Sequence, residues 1–265
     1  MTPEFISISW PQLMLALGFV TISGALSLYY QLRLEKDLAI GVVRTFVQLL
    51  AMGYLLKLLF GLNNALLVLA VYAGMTFFSV HIVRGRVKEK SVAYLAPTSL
   101  AVLISYSLIT IIVTRVLIGA EPWWNPQFFI PIGGMVAGNS MNSLALTLER
   151  FFSELRNRRD EVEMMLCHGA DYKESTESIF RDALRAGMIP AINSMMGVGL
   201  VSLPGMMTGQ ILAGTDPEEA VRYQIVVMLM IVGSTALASI IVLLLVRRRC
   251  FSSAMTLLLR RDNAQ

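Results

Sequence analysis

The sequence EMMLCHGADYKESTESIFRDALRAGMIP, residues 163–190, is the longest polar interval in an otherwise strongly apolar chain. Gly169 is typical of a helix end, because glycine adopts the left-handed conformation there without a steric penalty. Asp171 followed by Glu174 is typical of a capping box that begins a second helix. Ile189 and Pro190 then lead into another apolar segment. The interval therefore predicts a short helix, a turn, and a longer helix that returns into a membrane.

The composition of the whole chain is that of a membrane protein. Of its 265 residues, 55% are hydrophobic and 15% are charged, and the mean hydropathy is +0.64. Uncharged runs of about 20 residues recur, which is the length needed to cross a bilayer. We therefore predict an all-α, polytopic membrane protein with about seven transmembrane helices in a single domain, residues 1–265. The predicted spans are residues 11–32, 38–59, 65–83, 92–118, 128–148, 188–213 and 223–246.

Lysine and arginine residues predict the orientation of these spans. They cluster at residues 33–36, 84–90, 150–185 and 247–249, and they are almost absent from residues 61–64, 119–127 and 214–222. Basic residues favour the cytoplasmic side of a membrane. We therefore expect the N-terminus outside, the C-terminus in the cytoplasm and a cytoplasmic loop at residues 149–187. This anchoring explains the net charge of +4, so we expect contact with lipid and no nucleic-acid partner.

The chain lacks the residue patterns of common catalytic and metal sites. It has no GxxxxGK[ST] sequence, so no P-loop nucleotide site is predicted. Its two histidines, His81 and His168, form no metal-ligand pattern with Cys167 and Cys250. We therefore expect a carrier, channel or transporter subunit rather than an enzyme. The chain is expected to bind no cofactor itself, and the sequence identifies no metal ligand.

Two polar stretches within the predicted spans are candidates for a solute path. Asn139 and Asn142 follow a glycine-rich stretch in which Gly134 and Gly138 have the spacing that allows close helix packing. Amide side chains inside a bilayer need partners, so these asparagines are expected to face a cavity or another helix.

The second stretch is SLPGMMTGQ, residues 202–210, where proline and glycine predict a break in the sixth span. Methionine thioethers can bind soft metals, but methionine is also an adaptable apolar residue, and both interpretations remain open. The candidate path residues from this stretch are Ser202, Met206, Met207 and Gln210. The predicted hinge or break residues are Pro190, Pro204 and Gly205.

Several motifs resemble known transporter families. Residues 163–170, EMMLCHGA, resemble the EAA-type loop of ABC-transporter permeases, with Met164 and Met165 in place of its two alanines. Residues 34–37 (LEKD), 130–139 (IPIGGMVAGN) and 199–209 (GLVSLPGMMTG) are similar to FetB-type iron-export permeases. Relatives of that family include plant aluminium-tolerance membrane subunits. The resemblance extends from about residue 34 to residue 224.

This resemblance implies a permease subunit of an ABC-type exporter in a bacterial inner membrane, with multiple spans. The chain would pair with a separate cytoplasmic P-loop ATPase that binds ATP–Mg, with two copies of each subunit, and would export iron. The loop at residues 149–187 would carry a coupling helix that docks in a groove of the ATPase. The ATPase-coupling residues implied are Glu163, Met164, Met165, Gly169 and Ala170.

Two other interpretations remain open from the residues alone. The first is a self-sufficient secondary carrier or channel for a metal ion or small solute, driven by an ion gradient. The absence of a carboxylate near the middle of any predicted span disfavours it, because a proton relay needs such a group. The second is an assembly factor whose cytoplasmic loop binds a partner.

Overall fold

The structure, a computed structural model, describes residues 9–259, so both ends of the predicted domain, 1–8 and 260–265, lie outside the described residues. The described chain forms nine α-helices and one π-helical segment. These are α1 Trp10–Tyr29, α2 Glu35–Leu62, α3 Ala65–Arg86, α4 Leu95–Ile112 with its π-helical extension Val113–Leu117, α5 Pro126–Asn157, α6 Arg159–Cys167, α7 Glu177–Gly197, α8 Gly205–Leu212 and α9 Pro217–Arg249.

Five helices within residues 9–259 are long and apolar enough to cross a membrane: α1, α2, α3, α4 with its extension, and α9. The protein is therefore an all-helical, polytopic membrane protein. Helices α5 and α7, which contain much of the predicted fifth and sixth spans, are not among these five. Amide, hydroxyl, glycine and charged residues dilute their apolar side chains.

The helices differ from the predicted spans mainly at the fifth and sixth. Helix α5 continues past the predicted end of the fifth span to Asn157, and the predicted sixth span is two helices, α7 and α8. Helix α7 runs through Pro190 without interruption, so the chain does not break there. The break lies at residues 198–204, where Gly199 has a left-handed φ of 82° and Pro204 caps α8.

Helix α5 lies at the centre of the fold and packs against α3, α7 and α9. Hydroxyl groups line its contact with α9: Ser140 Oγ lies 2.8 Å from Ser234 Oγ, and Thr147 Oγ1 lies 3.3 Å from Ser239 Oγ. At the same threonine, α7 presents Gly187 to α5, and a Cβ atom at Gly187 would lie 1.7 Å from Thr147 Oγ1. Small and hydroxyl side chains therefore allow these backbones to approach closely.

The glycine-rich part of α5 packs against α3, but not through the predicted pair. A Cβ at Gly133 would lie 2.6 Å from the Tyr72 ring, and one at Gly134 would lie 3.0 Å from Met75. Gly138 has open space around it. The predicted role of Gly138 in close packing is therefore wrong, because the contact with α3 is centred on Gly133.

Candidate functional site

A cavity of about 1030 Å³ lies between α5, α7, α9 and the break at residues 198–204. We call it the central cavity. Its wall combines apolar side chains with carboxamide and hydroxyl groups, and none of its described lining residues is charged. The polar side chains that line it include Asn139, Asn142, Asn193, Ser194, Ser202 and Gln224.

The central cavity brings together residues that the sequence places far apart. Of the predicted path residues, Asn139, Asn142, Ser202 and Met206 line it, as do the predicted hinge residues Pro190, Pro204 and Gly205. Met207 and Gln210 are not among the lining residues. Helix α8 carries both of them together with Met206, but only its first turn reaches the cavity.

Each of the two predicted asparagines forms a hydrogen bond through one atom of its side-chain amide. Asn139 donates from Nδ2 to the carbonyl oxygen of Met135 at 2.8 Å. Asn142 accepts at Oδ1 from Nη1 of Arg86 at 2.6 Å. The Arg86 guanidinium, at the last residue of α3, therefore lies next to the polar wall of the cavity. Both side chains are exposed at the wall of the cavity.

Sequence reasoning missed four lining residues with polar side chains. Ser143 lies on α5, Asn193 and Ser194 follow Pro190 on α7, and Gln224 lies in the second turn of α9. The available signal was the same for all four: an uncharged polar side chain within a predicted apolar span. It was used only where a glycine-rich or proline-containing motif accompanied it.

The predicted turn after the short helix is present. Helix α6 ends at Cys167, and Gly169 has a φ of 93°. The amide of Ala170 donates to the carbonyl of Met165, and the amide of Gly169 donates to that of Leu166. This is the pair of hydrogen bonds that closes a helix with a left-handed glycine. The predicted role of Gly169 as a helix end is confirmed.

The exposed side of α6 is apolar at one position and charged around it. Met164 is 57% exposed, whereas Val162 is buried against the rest of the protein. Glu163 is paired with Arg159 at 2.7 Å, and Arg159 also donates to the carbonyl of Leu259. Glu163 therefore helps to tie α6 to the C-terminal segment, and Met164 is the more accessible of the two. Met165 and Ala170 are half-buried.

The predicted capping box forms, but it does not begin a helix. The amide of Asp171 donates to the Glu174 carboxylate at 2.9 Å, and the amide of Glu174 donates to Asp171 Oδ1 at 2.7 Å. Residues 172–176 nevertheless form turns, and α7 begins at Glu177. The reciprocal bonds close a compact turn between α6 and α7. The helix start predicted from this pair was therefore placed too early.

A buried arginine of α9 joins this turn to the helical core. Arg247 is 4% exposed, and its Nε donates to Thr176 Oγ1 at 2.6 Å. Its Nη2 donates to the carbonyl of Lys173 and lies 3.2 Å from a carboxylate oxygen of Glu177. The start of α7 is therefore attached to α9, and both helices contribute residues to the wall of the central cavity.

Comparison with known proteins supports the resemblance seen in the motifs. The chain matches the family described as Uncharacterised protein family (UPF0014) over residues 10–251. It is 36% identical over 244 residues to the UPF0014 membrane protein slr1647 of Synechocystis sp., covering 90% of this chain and 92% of that protein. No solved structure matches the chain at a significant level.

Two further relatives carry names that bear on function. The probable iron export permease protein FetB of Escherichia coli is 34% identical over 227 residues, covering 85% of this chain and 86% of that protein. Protein ALUMINUM SENSITIVE 3 of Arabidopsis thaliana is 32% identical over 231 residues, covering 84% of this chain and 80% of that protein. The match runs through α6, the break and the cavity-lining helices alike. The chain belongs to the UPF0014 family of membrane proteins, which includes these relatives.

Proposed function

We propose that the chain is the membrane-spanning permease subunit of an ABC-type exporter. A separate cytoplasmic P-loop ATPase would bind ATP–Mg and hydrolyse ATP, so this chain itself is not an enzyme and holds no cofactor. Two copies of the chain would work with two ATPase subunits in a bacterial inner membrane. We propose iron as the cargo because the Escherichia coli relative is named a probable iron export permease.

The observation that carries this proposal is the connection between α6 and the central cavity. Helix α6 presents Met164 on its exposed side, and only the compact turn at residues 168–176 separates it from α7. The other end of α7 lines the cavity at Pro190 and Asn193. A partner that holds α6 can therefore move a cavity wall, with α6 docked in a groove of that partner.

The membrane topology follows from the same proposal. Besides the five apolar helices, α5 and the pair α7–α8 enter the bilayer, which gives about seven spans with the N-terminus outside. Their polar groups are tolerated because they face the cavity or neighbouring helices instead of lipid. Helix α6 and the last turn of α9, where Arg247 lies, are then at the cytoplasmic side.

Co-purification from the native host tests the partner. Wild type in mild detergent is expected to retain a P-loop ATPase, and Met164→Glu is expected to lose it, because a charge would be buried in the docking groove. Met255→Glu is the matched control, since Met255 is 44% exposed on the C-terminal segment. If wild type retains no ATPase even after crosslinking, the proposal fails. A self-sufficient secondary carrier then becomes the better interpretation.

Gly169→Val tests the coupling step separately from docking. A β-branched residue is strained at a φ of 93°, so the angle between α6 and α7 should change while α6 keeps its exposed side. We expect the ATPase to remain bound and ATP-dependent iron export to fall at least tenfold, measured in inside-out vesicles. Normal export by Gly169→Val would contradict the role of this turn.

A further inference from the structure

Helices α3 and α4 enclose a groove of about 420 Å³ on the surface of the protein, which we call the α3–α4 groove. Its walls are mainly apolar and include Phe77, Val80 and Leu103. Phe77 and Leu103 are exposed, so the groove opens to the surroundings of the two helices. Because both helices are long and apolar enough to cross a membrane, those surroundings are lipid acyl chains.

A second cavity, of about 520 Å³, continues from the groove at the C-terminal end of α3. The two cavities share His81 and Arg84, and the second also contains Lys88 and Lys90. We call it the basic pocket. Among the described residues, no aspartate or glutamate lines either cavity. The apolar groove therefore leads directly into a pocket that carries one arginine and two lysines.

The cationic side chains of the basic pocket form no salt bridge within the part of the chain that the structure describes. The salt bridges of residues 9–259 involve neither Arg84 nor the two lysines. Of the carboxylates in this region, Glu89 is paired with Arg156, and Glu149 accepts from the backbone amide of Lys88. Like charges repel one another, so the pocket favours a bound anion.

The general preference of basic residues for the cytoplasmic side does not by itself produce such a pocket. Arg33 and Lys36 lie at the connection of α1 to α2, yet neither lines the apolar gap between those helices. The charged residue that does line that gap is Asp37. Basic side chains and an interhelical groove therefore coincide at the end of α3 but not at the start of α2.

We propose that the α3–α4 groove and the basic pocket together bind one anionic phospholipid. An acyl chain lies in the groove, and the head-group phosphate lies among His81, Arg84 and Lys88. Basic pockets between membrane helices at the cytoplasmic side are suited to anionic head groups, and the apolar groove adds contacts that a free phosphate cannot make. The inference goes beyond export and does not depend on it, since it requires only that α3 and α4 cross the bilayer.

Native mass spectrometry of the full chain in detergent tests the head-group contact. The probes are phosphatidylglycerol, which is anionic, and phosphatidylcholine with the same acyl chains, which has no net charge. Wild type is expected to bind the anionic lipid about tenfold more tightly, because each basic residue near the head group adds to the attraction. Arg84→Gln combined with Lys88→Gln should abolish this preference. The fold should be kept, because the Arg84 carbonyl and the Lys88 amide, not the side chains, contact Tyr94 and Glu149.

The matched control removes the same charge from the same side of the protein. Lys36 and Arg248 are exposed and line neither cavity, so Lys36→Gln combined with Arg248→Gln should keep the preference for phosphatidylglycerol. An equal loss in the two double variants would reveal a general attraction between basic residues and anionic lipid, and would overturn the site. Equal binding of the two lipids by wild type would overturn it as well.

Ser99→Trp tests the groove. Ser99 is exposed and lines the groove, so an indole there would fill space that the acyl chain occupies. We expect phosphatidylglycerol to bind about fivefold more weakly, and glycerol phosphate not to displace it from wild type at equal concentration. Displacement would identify a site for free phosphate, and unchanged binding in Ser99→Trp would exclude the groove; either result overturns the proposal. If wild type is a dimer that Ser99→Trp dissociates, a second copy of the chain occupies the groove and the lipid assignment is wrong.

Discussion

The α1–α2 pair is packed much more loosely than the block formed by α3, α4, α5, α7 and α9. In the most apolar 18-residue stretch of α1 and of α2, 6% of the residues are buried inside the protein. In the corresponding stretch of α9, 50% of the residues are buried. A gap of about 530 Å³, lined mainly by apolar side chains, separates α1 from α2. Apolar side chains are stable against lipid as well as against protein, so hydropathy alone does not predict which helices pack together.

Polar and small residues mark the packed block instead. Hydroxyl groups such as Ser140 and Thr147, and Gly187, lie where its helices touch. In α1, the one buried residue is Ser27, which donates to Glu35 at 2.7 Å and accepts from the amide of Leu34. Hydroxyl groups therefore mark contacts between helices both in the block and in α1, whereas the glycines do so only at positions such as Gly187.

A large loss of stability is expected from adding one methyl group at a helix crossing. In Gly187→Ala the new Cβ would lie 1.7 Å from Thr147 Oγ1 and 3.0 Å from the carbonyl oxygen of Ser143. We expect the free energy of unfolding to fall by about 3 kcal/mol, because the α5–α7 contact must open. The measurement is thermal or denaturant unfolding in mild detergent.

The same substitution in α2 is the control for this comparison. Gly53 has nothing within 4 Å of an added Cβ, so Gly53→Ala should be neutral or should stabilise the helix by about 0.5–1 kcal/mol. Equal losses at Gly187 and Gly53 would show that the two regions are packed alike. That result would contradict the looser packing of the α1–α2 pair.

A smaller loss of stability is expected at Glu89, which lies in the connection between α3 and α4. The Glu89 carboxylate accepts from the amide and hydroxyl of Ser91, and Arg156 donates to it at 2.7 Å. Burial alone would raise the pKa of Glu89, but the hydrogen bonds from Ser91 and the charge of Arg156 together hold it below its usual 4.5. Glu89→Gln should therefore cost about 1–2 kcal/mol at pH 7.

The pH dependence of that loss checks its cause. A carboxyl group whose pKa is lowered in the folded state stabilises the protein above its unfolded pKa, and this stabilisation disappears as the pH falls through the folded pKa. The difference between wild type and Glu89→Gln should thus be complete at pH 7 and shrink below about pH 4.5. A difference that stays constant down to pH 3 would show that the charge of Glu89 is not its source.

The sequence was sufficient to predict a helical membrane protein and the end of α6 at Gly169, because hydropathy and a glycine at a helix end are local signals. It did not reach the start of α7, because the hydrogen bonds between Asp171 and Glu174 satisfy a turn as well as a helix. It also missed Gln224, which lines the central cavity because α9 lies opposite α7 and the break at residues 198–204. Contacts between helices that are far apart in the sequence cannot be predicted from any one stretch of the chain.

The smallest effect is expected on the exposed face of α1. Phe19 is 77% exposed, so Phe19→Ala should change the free energy of unfolding by less than about 0.5 kcal/mol. Phe151 is buried within the block, and Phe151→Ala is the matched comparison, with an expected loss of about 3–5 kcal/mol. If Phe19→Ala proves costly, and the cost falls as the detergent-solubilised protein is diluted, a second copy of the chain covers this face. The loose packing of α1 would then belong to the single chain and not to the assembly, because binding to the folded state stabilises it by mass action.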